Sequence, residues 1–244
     1  MSKKLSVVIP AYNEEDRITA TLSDANNYLK TQDYDYEIIV VDNGSRDKTV
    51  DTVKALASSM PNLRVLEQPP IVPGNNKGNA VKKGILESIG EYVVFMDADN
   101  ATPISEIQKF WPYLENGTEV VIGSRYQDPS SVKIRQPLYK VILSRMANLL
   151  IQIVLIPHIK DTQCGFKAFR SSAGKEIFKN ISIYGWAFDM ELLAIALKFG
   201  YRIKEVPVSW EEHGGSHVPL KAYIQSLLSL FVIKWRLLRG KYSP

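Results

Sequence analysis

Two rhythms of apolar residues alternate along the chain. Short runs rich in β-branched residues lie at "LSVVIPAY" (5–12), "YEIIVVDNGS" (36–45), "LRVLEQ" (63–68), "YVVFMDAD" (92–99) and "EVVIGSR" (119–125), each closing on polar residues or Gly. Between them, spans near 14–31, 46–60, 78–90 and 103–115 repeat apolar residues at helical spacing. The last is predicted to open with Thr102 as N-cap and Pro103 at the first helical position. Strands alternating with helices predict an α/β fold, a mostly parallel central sheet with helices on both faces. Ligands of such sheets bind at the carboxyl ends of the strands.

That rule gathers four loops on one rim. "PAYNEE" follows the first strand, Asp42 ends the second, the Gly- and Asn-rich "VPGNNKGNAVKKG" (72–84) follows the third, and "DADN" the fourth. Singly, each has a plain structural account: a helix cap, an Asx turn, a chain bend, a strand end. Together their chemistry suits a nucleotide diphosphate, with carboxylates for a metal and ribose, and backbone amides and Lys77 for phosphate. Asp97 and Asp99 are the sharpest case, because like charges one residue apart at the end of a buried strand repel and resist burial. A hard dication such as Mg2+ or Mn2+ removes that conflict. The same ion neutralises the charge that develops on a leaving diphosphate.

The 244 residues, 45% hydrophobic and 23% charged, fit one large globular domain with added elements. A single cysteine, Cys164, excludes an internal disulfide and a multi-cysteine zinc site. It reads as a small buried hydrophobe rather than a nucleophile, and His158, His213 and His217 lack metal-ligand spacing. The apolar stretch in "MSKKLSVVIP" is too short for a secretory signal, so a reducing, cytosolic setting is expected. The net charge of +4 is too small to argue for nucleic acid, and its placement matters more. Residues 130–160 carry five Lys or Arg and no acidic residue around the run "LLIQIVLI", and residues 219–242 repeat the pattern around Trp235. Neither apolar run reaches the roughly 20 residues that cross a bilayer. They predict two basic amphipathic segments at the membrane surface, about 137–156 within a main domain of residues 1–217, and 218–244 after it. Core-packing helices with a solvated basic face are the competing account.

Seven segments then stand in one order: "PAYNEE", "VVDNGSRDKT", "NNKGNAV", "MDADNAT", "GSR", "DTQCGFKAF" and "WAFDMELL". Across residues 5–217 this series resembles the family 2 inverting glycosyltransferases of GT-A fold, and within them the polyprenyl- and dolichyl-phosphate hexosyltransferases. "DTQCGFK" with "WAFDMELL" is most similar to the dolichyl-phosphate β-glucosyltransferase branch. The resemblance implies that Pro10, Tyr12, Asn13 and Glu14 surround the base and ribose of a nucleotide-sugar donor, and that Asp42 faces the nucleoside. It implies direct metal contact for Asp99, and metal or sugar contact for Asp97. Four positions depart from the pattern: Asn43 stands for a second Asp, Ala101 for a metal-binding Gln of the mannose synthase branch, Lys140 for an Arg that would grip phosphate with two prongs, and His217 for a Lys.

A lipid phosphate acceptor unites the rim with the basic segments. Arg125 of "GSR" is the first phosphate-binding candidate, and Lys140 and Ser144, four apart on one helix face, fall where the mannose synthase branch holds the acceptor phosphate with Arg and Ser. Asp189 aligns with the base of relatives that use hydroxyl acceptors. Here it is expected to orient the sugar or an acceptor-site cation, with Glu191 in a similar role. A phosphate monoester is charged near neutrality and needs little base help, so direct displacement would give a β-linked lipid phosphate sugar. The reading is transfer of glucose from UDP-glucose by a peripheral enzyme on the cytoplasmic face of the membrane, alone, as a homo-oligomer or with a membrane-protein partner. The alternatives are mannosyl transfer from GDP-mannose, transfer to a saccharide hydroxyl, and a non-catalytic nucleotide-binding scaffold.

Overall fold

The computed structural model describes residues 4–72, 76–126, 146, 148–211 and 220–243. The strands are β1 (Leu5–Ala11), β2 (Tyr36–Asp42), β3 (Leu63–Glu67), β4 (Tyr92–Met96), β5 (Val120–Ser124), β6 (Phe166–Arg170) and β7 (Ile203–Pro207). The helices are α1 (Ile18–Leu29), α2 (Thr49–Ala57), α3 (Lys77–Glu87), α4 (Trp111–Glu115), α5 (helical residues 148–154), α6 (Ser171–Asn180), α7 (Phe188–Lys198) and α8 (Leu220–Leu238). One sheet has the order β3-β2-β1-β4-β6-β5-β7, parallel throughout except for β6, which runs antiparallel to both neighbours.

Every residue of β1 and β2 is buried, as continuous apolar runs require when both faces are covered. Alternation sorts them: Val7, Ile9, Ile38 and Val40 pack with Ile18, Leu22 and Ala25 of α1, whereas Val8, Ile39 and Val41 pack with Ala80, Val81 and Ile85 of α3. Gly84 lets α3 lie close on the sheet, because a Cβ there would strike Val8 and Val41. Close packing holds the start of α3 beside the strand ends that carry the polar loops.

Several local expectations are corrected. Two strands, β6 and β7, lie in segments that showed no strand rhythm. Thr102 caps nothing: Pro103 is extended (φ −67°, ψ 150°) and a 3-10 turn starts only at Ile104. The helix expected over 103–115 is split into that turn, Ile104–Lys109, and the short α4, because Pro112 has no N–H to continue a ladder from before it. Of the segment about 137–156, residues 148–154 are helical, while most of its first part lies outside the described residues.

Helix α8 packs on the main body through Leu230 and Ile233, which join the core with α7. Its other face leaves Leu228, Phe231, Val232, Trp235 and Leu238 exposed, as Met146, Leu149 and Ile153 are exposed at α5. Among the described residues no helix is long and apolar enough to cross a membrane.

Candidate active site

The loops after β1 and β2 are stitched together by reciprocal bonds. Asn13, at φ 54°, accepts from Arg46 N through Oδ1 (2.8 Å) and donates its own N–H to Ser45 Oγ (2.9 Å). Glu14 N donates to Thr49 Oγ1 (2.8 Å), and Lys48 N donates to Glu15 Oε2 (2.9 Å). Asp42 accepts from Gly44 N (2.9 Å) and Ser45 N (3.2 Å) and so closes the Asx turn of the plain reading, with acceptor capacity left over. Pro10 is buried in β1 opposite Val41, and Tyr12 stands half exposed beside this cradle.

At the end of β4 the chain turns sharply. Thr21 Oγ1 of α1 donates to the Ala98 carbonyl (2.7 Å), Asn100 takes φ 55° and donates Nδ2–H to Asp24 (3.1 Å), and Ala101 N donates to Asp99 Oδ1 (3.0 Å). The turn thereby holds Asp97 and Asp99 near each other. Burial, and next the charge of Asp97, pushes the Asp99 carboxyl above its usual range. Glu14 is raised by burial, against Arg17, and both aspartates add to the rise, which places the first loop in the same electrostatic cluster.

Lys77, at the start of α3, forms an ion pair with Asp97. Asn76 positions it by accepting from Ile71 N and Val72 N (3.0 Å each). Gly78 lets α3 meet α7, since a Cβ would stand 2.6 Å from Phe188 Cβ, and Gly78 N donates to the Tyr184 carbonyl (2.8 Å). Burial would lower the Lys77 ammonium, but Asp97, Asp189 and Asp99 overcome it, and the pKa is raised. Asp189, in the first turn of α7, accepts from the fully buried Lys167 Nζ (2.5 Å), which also donates to the Cys164 carbonyl (2.6 Å). Charges thus alternate across the cleft floor: Lys167, Asp189, Lys77, Asp97, with Asp99 at the end.

On the far side of the rim, Arg125 makes a two-pronged pair with the buried Asp161, from Nε to Oδ2 (2.7 Å) and from Nη2 to Oδ1 (2.9 Å). Its guanidinium also lies 5.6 Å from the ring centres of Tyr126 and Trp210. Burial would raise the Asp161 carboxyl, but Arg125 holds it below the usual range. Asp161 N and Lys160 N both donate to Glu205 of β7, which fixes this corner. Lys140, Ser144, His213 and His217 lie outside the described residues.

Asp161, Gly165 and Lys167 sit inside the quoted "DTQCGFKAF" but had no assigned part. The readable signal was a lysine within an apolar run. Gly165 is required because a Cβ would overlap the Asp97 carboxylate. Glu191 is corrected: it is fully buried away from the cleft and accepts from Ser182 N (2.9 Å), Ile183 N (2.7 Å) and Tyr242 Oη (2.7 Å). Its other partner, Arg236 of α8, stands at 3.2 Å, so Glu191 anchors the C-terminal helix. Burial pushes the Cys164 thiol up to about 12, in keeping with an inert core residue.

Among the described residues no group of three His, Cys, Asp or Glu side chains is placed to hold a metal ion. Asp97 and Asp99 suit a shared dication as a pair, because burial and then the charge of Asp97 raise the Asp99 carboxyl, and such an ion relieves that repulsion.

The sequence profile of Glycosyl transferase family 2 matches residues 6–178. A dolichyl-phosphate beta-glucosyltransferase of Dictyostelium discoideum is 36% identical over 97% of this chain and 75% of its own length. One of Homo sapiens is 33% identical over 99% of this chain and 78% of its own. Glucosyl-3-phosphoglycerate synthase from Mycobacterium tuberculosis, solved with Mn2+ and UDP-glucose, superposes with a TM-score of 0.65 at 22% identity, over 93% of this chain and 79% of that one. That likeness is one of overall fold. With the profile covering the strands that bear the polar rim, and relatives aligned along nearly the whole chain, the protein belongs to glycosyl transferase family 2.

Proposed function

We propose that the protein transfers glucose from UDP-glucose to a dolichyl or other polyprenyl phosphate, with inversion at the anomeric carbon. The observation that carries the reading is the Asp97 and Asp99 pair, held by the turn after β4 on the same rim as the stitched loops of β1 and β2. The relatives named for dolichyl-phosphate glucosylation support the acceptor, and the neighbour solved with Mn2+ and UDP-glucose supports the donor class.

In this reading Pro10, Tyr12, Asn13, Glu14 and Asp42 form the nucleoside cradle, with Tyr12 offering its exposed ring to the base and Asp42 keeping the cradle's shape. Asp97 and Asp99 hold Mg2+ or Mn2+, whose chemistry is to offset the negative charge growing on the leaving diphosphate. Lys77 adds a second positive charge there. Asp189, fixed by Lys167, accepts from a sugar hydroxyl and sets the angle of the anomeric carbon. Arg125 meets the acceptor phosphate through Nη1, which no hydrogen bond among the described residues uses, while Asp161 holds its other edge. Lys140 and Ser144 complete that acceptor site. The phosphate oxygen attacks opposite the diphosphate without needing a base, because it is already ionised.

Residues 218–244, with α8 at their centre, serve as a membrane-surface segment beside a catalytic domain of residues 1–217. The exposed face of α8 presents Phe231 and Trp235, flanked by Lys234, Arg239 and Lys241, and α5 adds Leu149 and Ile153. This arrangement brings a prenyl chain to the rim from the bilayer, at its cytoplasmic face.

The test is a panel of UDP-glucose, GDP-mannose and other nucleotide-sugars with a short prenyl phosphate and Mg2+ or Mn2+, read by product mass. A hexosyl prenyl phosphate formed with UDP-glucose supports the reading. Product from GDP-mannose instead moves the donor. Transfer only to saccharide hydroxyls, or no nucleotide release with any metal, rejects it.

A further inference from the structure

Lys77 raises a question that donor binding alone does not answer. Its ammonium is in contact with Asp97 Oδ1, and its side chain is only 19% exposed. It therefore occupies one of the two oxygens that Asp97 would offer a dication. Two positive centres, one of them doubly charged, cannot share a partly buried oxygen without strong repulsion. Metal and Lys77 compete for Asp97.

Which of the three groups can move is decided by their surroundings. Asp97 cannot swing aside on its far edge, because the Gly165 backbone lies against its carboxylate so closely that even a Cβ would overlap. Lys77 has the longer reach, since its four-carbon stem leaves from the first residue of α3 and has more rotatable bonds than a carboxylate set on a strand end. Its next partner is also at hand. Asp189 acts on Lys77 through its charge and is held in place by Lys167 at 2.5 Å. The ring of Trp186 lies 6.0 Å from Nζ. A diphosphate arriving in the cleft supplies further negative charge for the displaced ammonium.

We infer that Lys77 is a displaceable internal cation: in the empty enzyme it holds Asp97 where the divalent ion binds, and it yields when the donor diphosphate offers it new partners. The inference rests on the donor and metal reading above and adds an order to it. Divalent ion binds poorly to the empty protein and well with the nucleotide, and by linkage each strengthens the other. The latch offsets the charge of Asp97 between turnovers and keeps bare metal from filling the cleft.

The experiment measures free Mn2+ by electron paramagnetic resonance against the intact protein, with and without UDP. Wild type and Lys77→Met are compared, and circular dichroism checks the fold. Wild type is expected to bind Mn2+ at least about tenfold more tightly with UDP than without. Lys77→Met is expected to bind Mn2+ without UDP at least about tenfold more tightly than wild type, and to lose most of the gain from UDP. Lys77→Gln gives the same reading should the Met variant fail to fold, and Lys77→Arg, which keeps the charge, stays near wild type. Equal or weaker Mn2+ binding by the uncharged variants overturns the inference, as does a wild type indifferent to UDP. A wild type that makes the lipid-linked sugar while the uncharged variants gain no Mn2+ affinity overturns the latch alone. A protein that binds neither Mn2+ nor UDP overturns the donor reading and the latch together.

Discussion

Lys167→Met tests whether the alternating charges under the cleft act as one unit. Lys167 is fully buried, its Nζ lies 2.5 Å from Asp189 Oδ1, and Asp189 is itself only 7% exposed at the side chain. Met keeps the length of the stem and removes the charge, leaving a buried carboxylate with Lys77 as its remaining cationic neighbour. Breaking a buried pair in this way costs about 3–5 kcal/mol. In a chain of this size that is a fall of roughly 6–20 °C in Tm. Burial already raises the Asp189 carboxyl, with Lys167 and Lys77 opposing, so loss of Lys167 raises it further. An acid raised in the folded state destabilises that state as pH climbs from its ordinary value of 3.8 through the folded one, because the unfolded chain releases the proton first. The deficit is therefore largest at high pH and shrinks as Asp189 protonates. Urea unfolding at pH 8 and pH 5 measures it. The double change Lys167→Met with Asp189→Leu, which replaces the pair by apolar groups, should recover to within about 1.5 kcal/mol of wild type. A loss below about 1 kcal/mol at pH 8, or a deficit that grows toward acid, contradicts the coupling.

Gly165→Ala drives a methyl group into the Asp97 carboxylate, so sugar transfer should fall at least about 100-fold while far-ultraviolet circular dichroism stays unchanged. Asp161→Asn leaves the Arg125 fork half matched and should cost about 2–4 kcal/mol at pH 7 by denaturant unfolding. Because Arg125 holds the Asp161 carboxyl low in the folded state, its stabilisation is present above 3.8 and fades as pH falls through the folded value. The variant's acid unfolding curve should accordingly be flatter than that of wild type. Phe231→Ser with Trp235→Ser should lower sedimentation with anionic vesicles at least about tenfold and leave Tm in solution unchanged, since both side chains are more than half exposed.

β1, β2, β4 and β5 were legible because strands buried along their whole length need near-continuous apolar residues, and β3, half-exposed at the edge, kept enough of the rhythm in Leu63, Val65 and Leu66. β6 and β7 were not. "FKAFR" places a buried lysine in the strand, which masks its rhythm, and "IKEVP" lies at the sheet edge with exposed or half-exposed positions and a terminal proline. At the site, the convergence of Asp97, Asp99, Glu14 and Lys77 followed from topology, since parallel strands bring their carboxyl ends to one rim. What could not be read was partnership across long sequence separations. Arg125 meets Asp161 and Lys167 meets Asp189 only because the antiparallel β6 inserts between β4 and β5. Glu191 looked like its neighbour Asp189, yet two positions along a helix turn a side chain to another face, here toward Tyr242 and Arg236. Asp42, noticed for its charge, also closes its own turn by accepting from Gly44 N and Ser45 N, a local use that the sequence showed only as a competing account.

The claim on which the rest depends is that Asp99 helps carry the leaving diphosphate's charge during transfer to a lipid phosphate. Single-turnover glucose transfer from UDP-glucose to a short prenyl phosphate with Mn2+, wild type against Asp99→Ala, addresses it most directly. Wild type should form the glucosyl prenyl phosphate, and the variant should be slower by about 100-fold or more. A variant rate within about threefold of wild type, with the same product, contradicts the account.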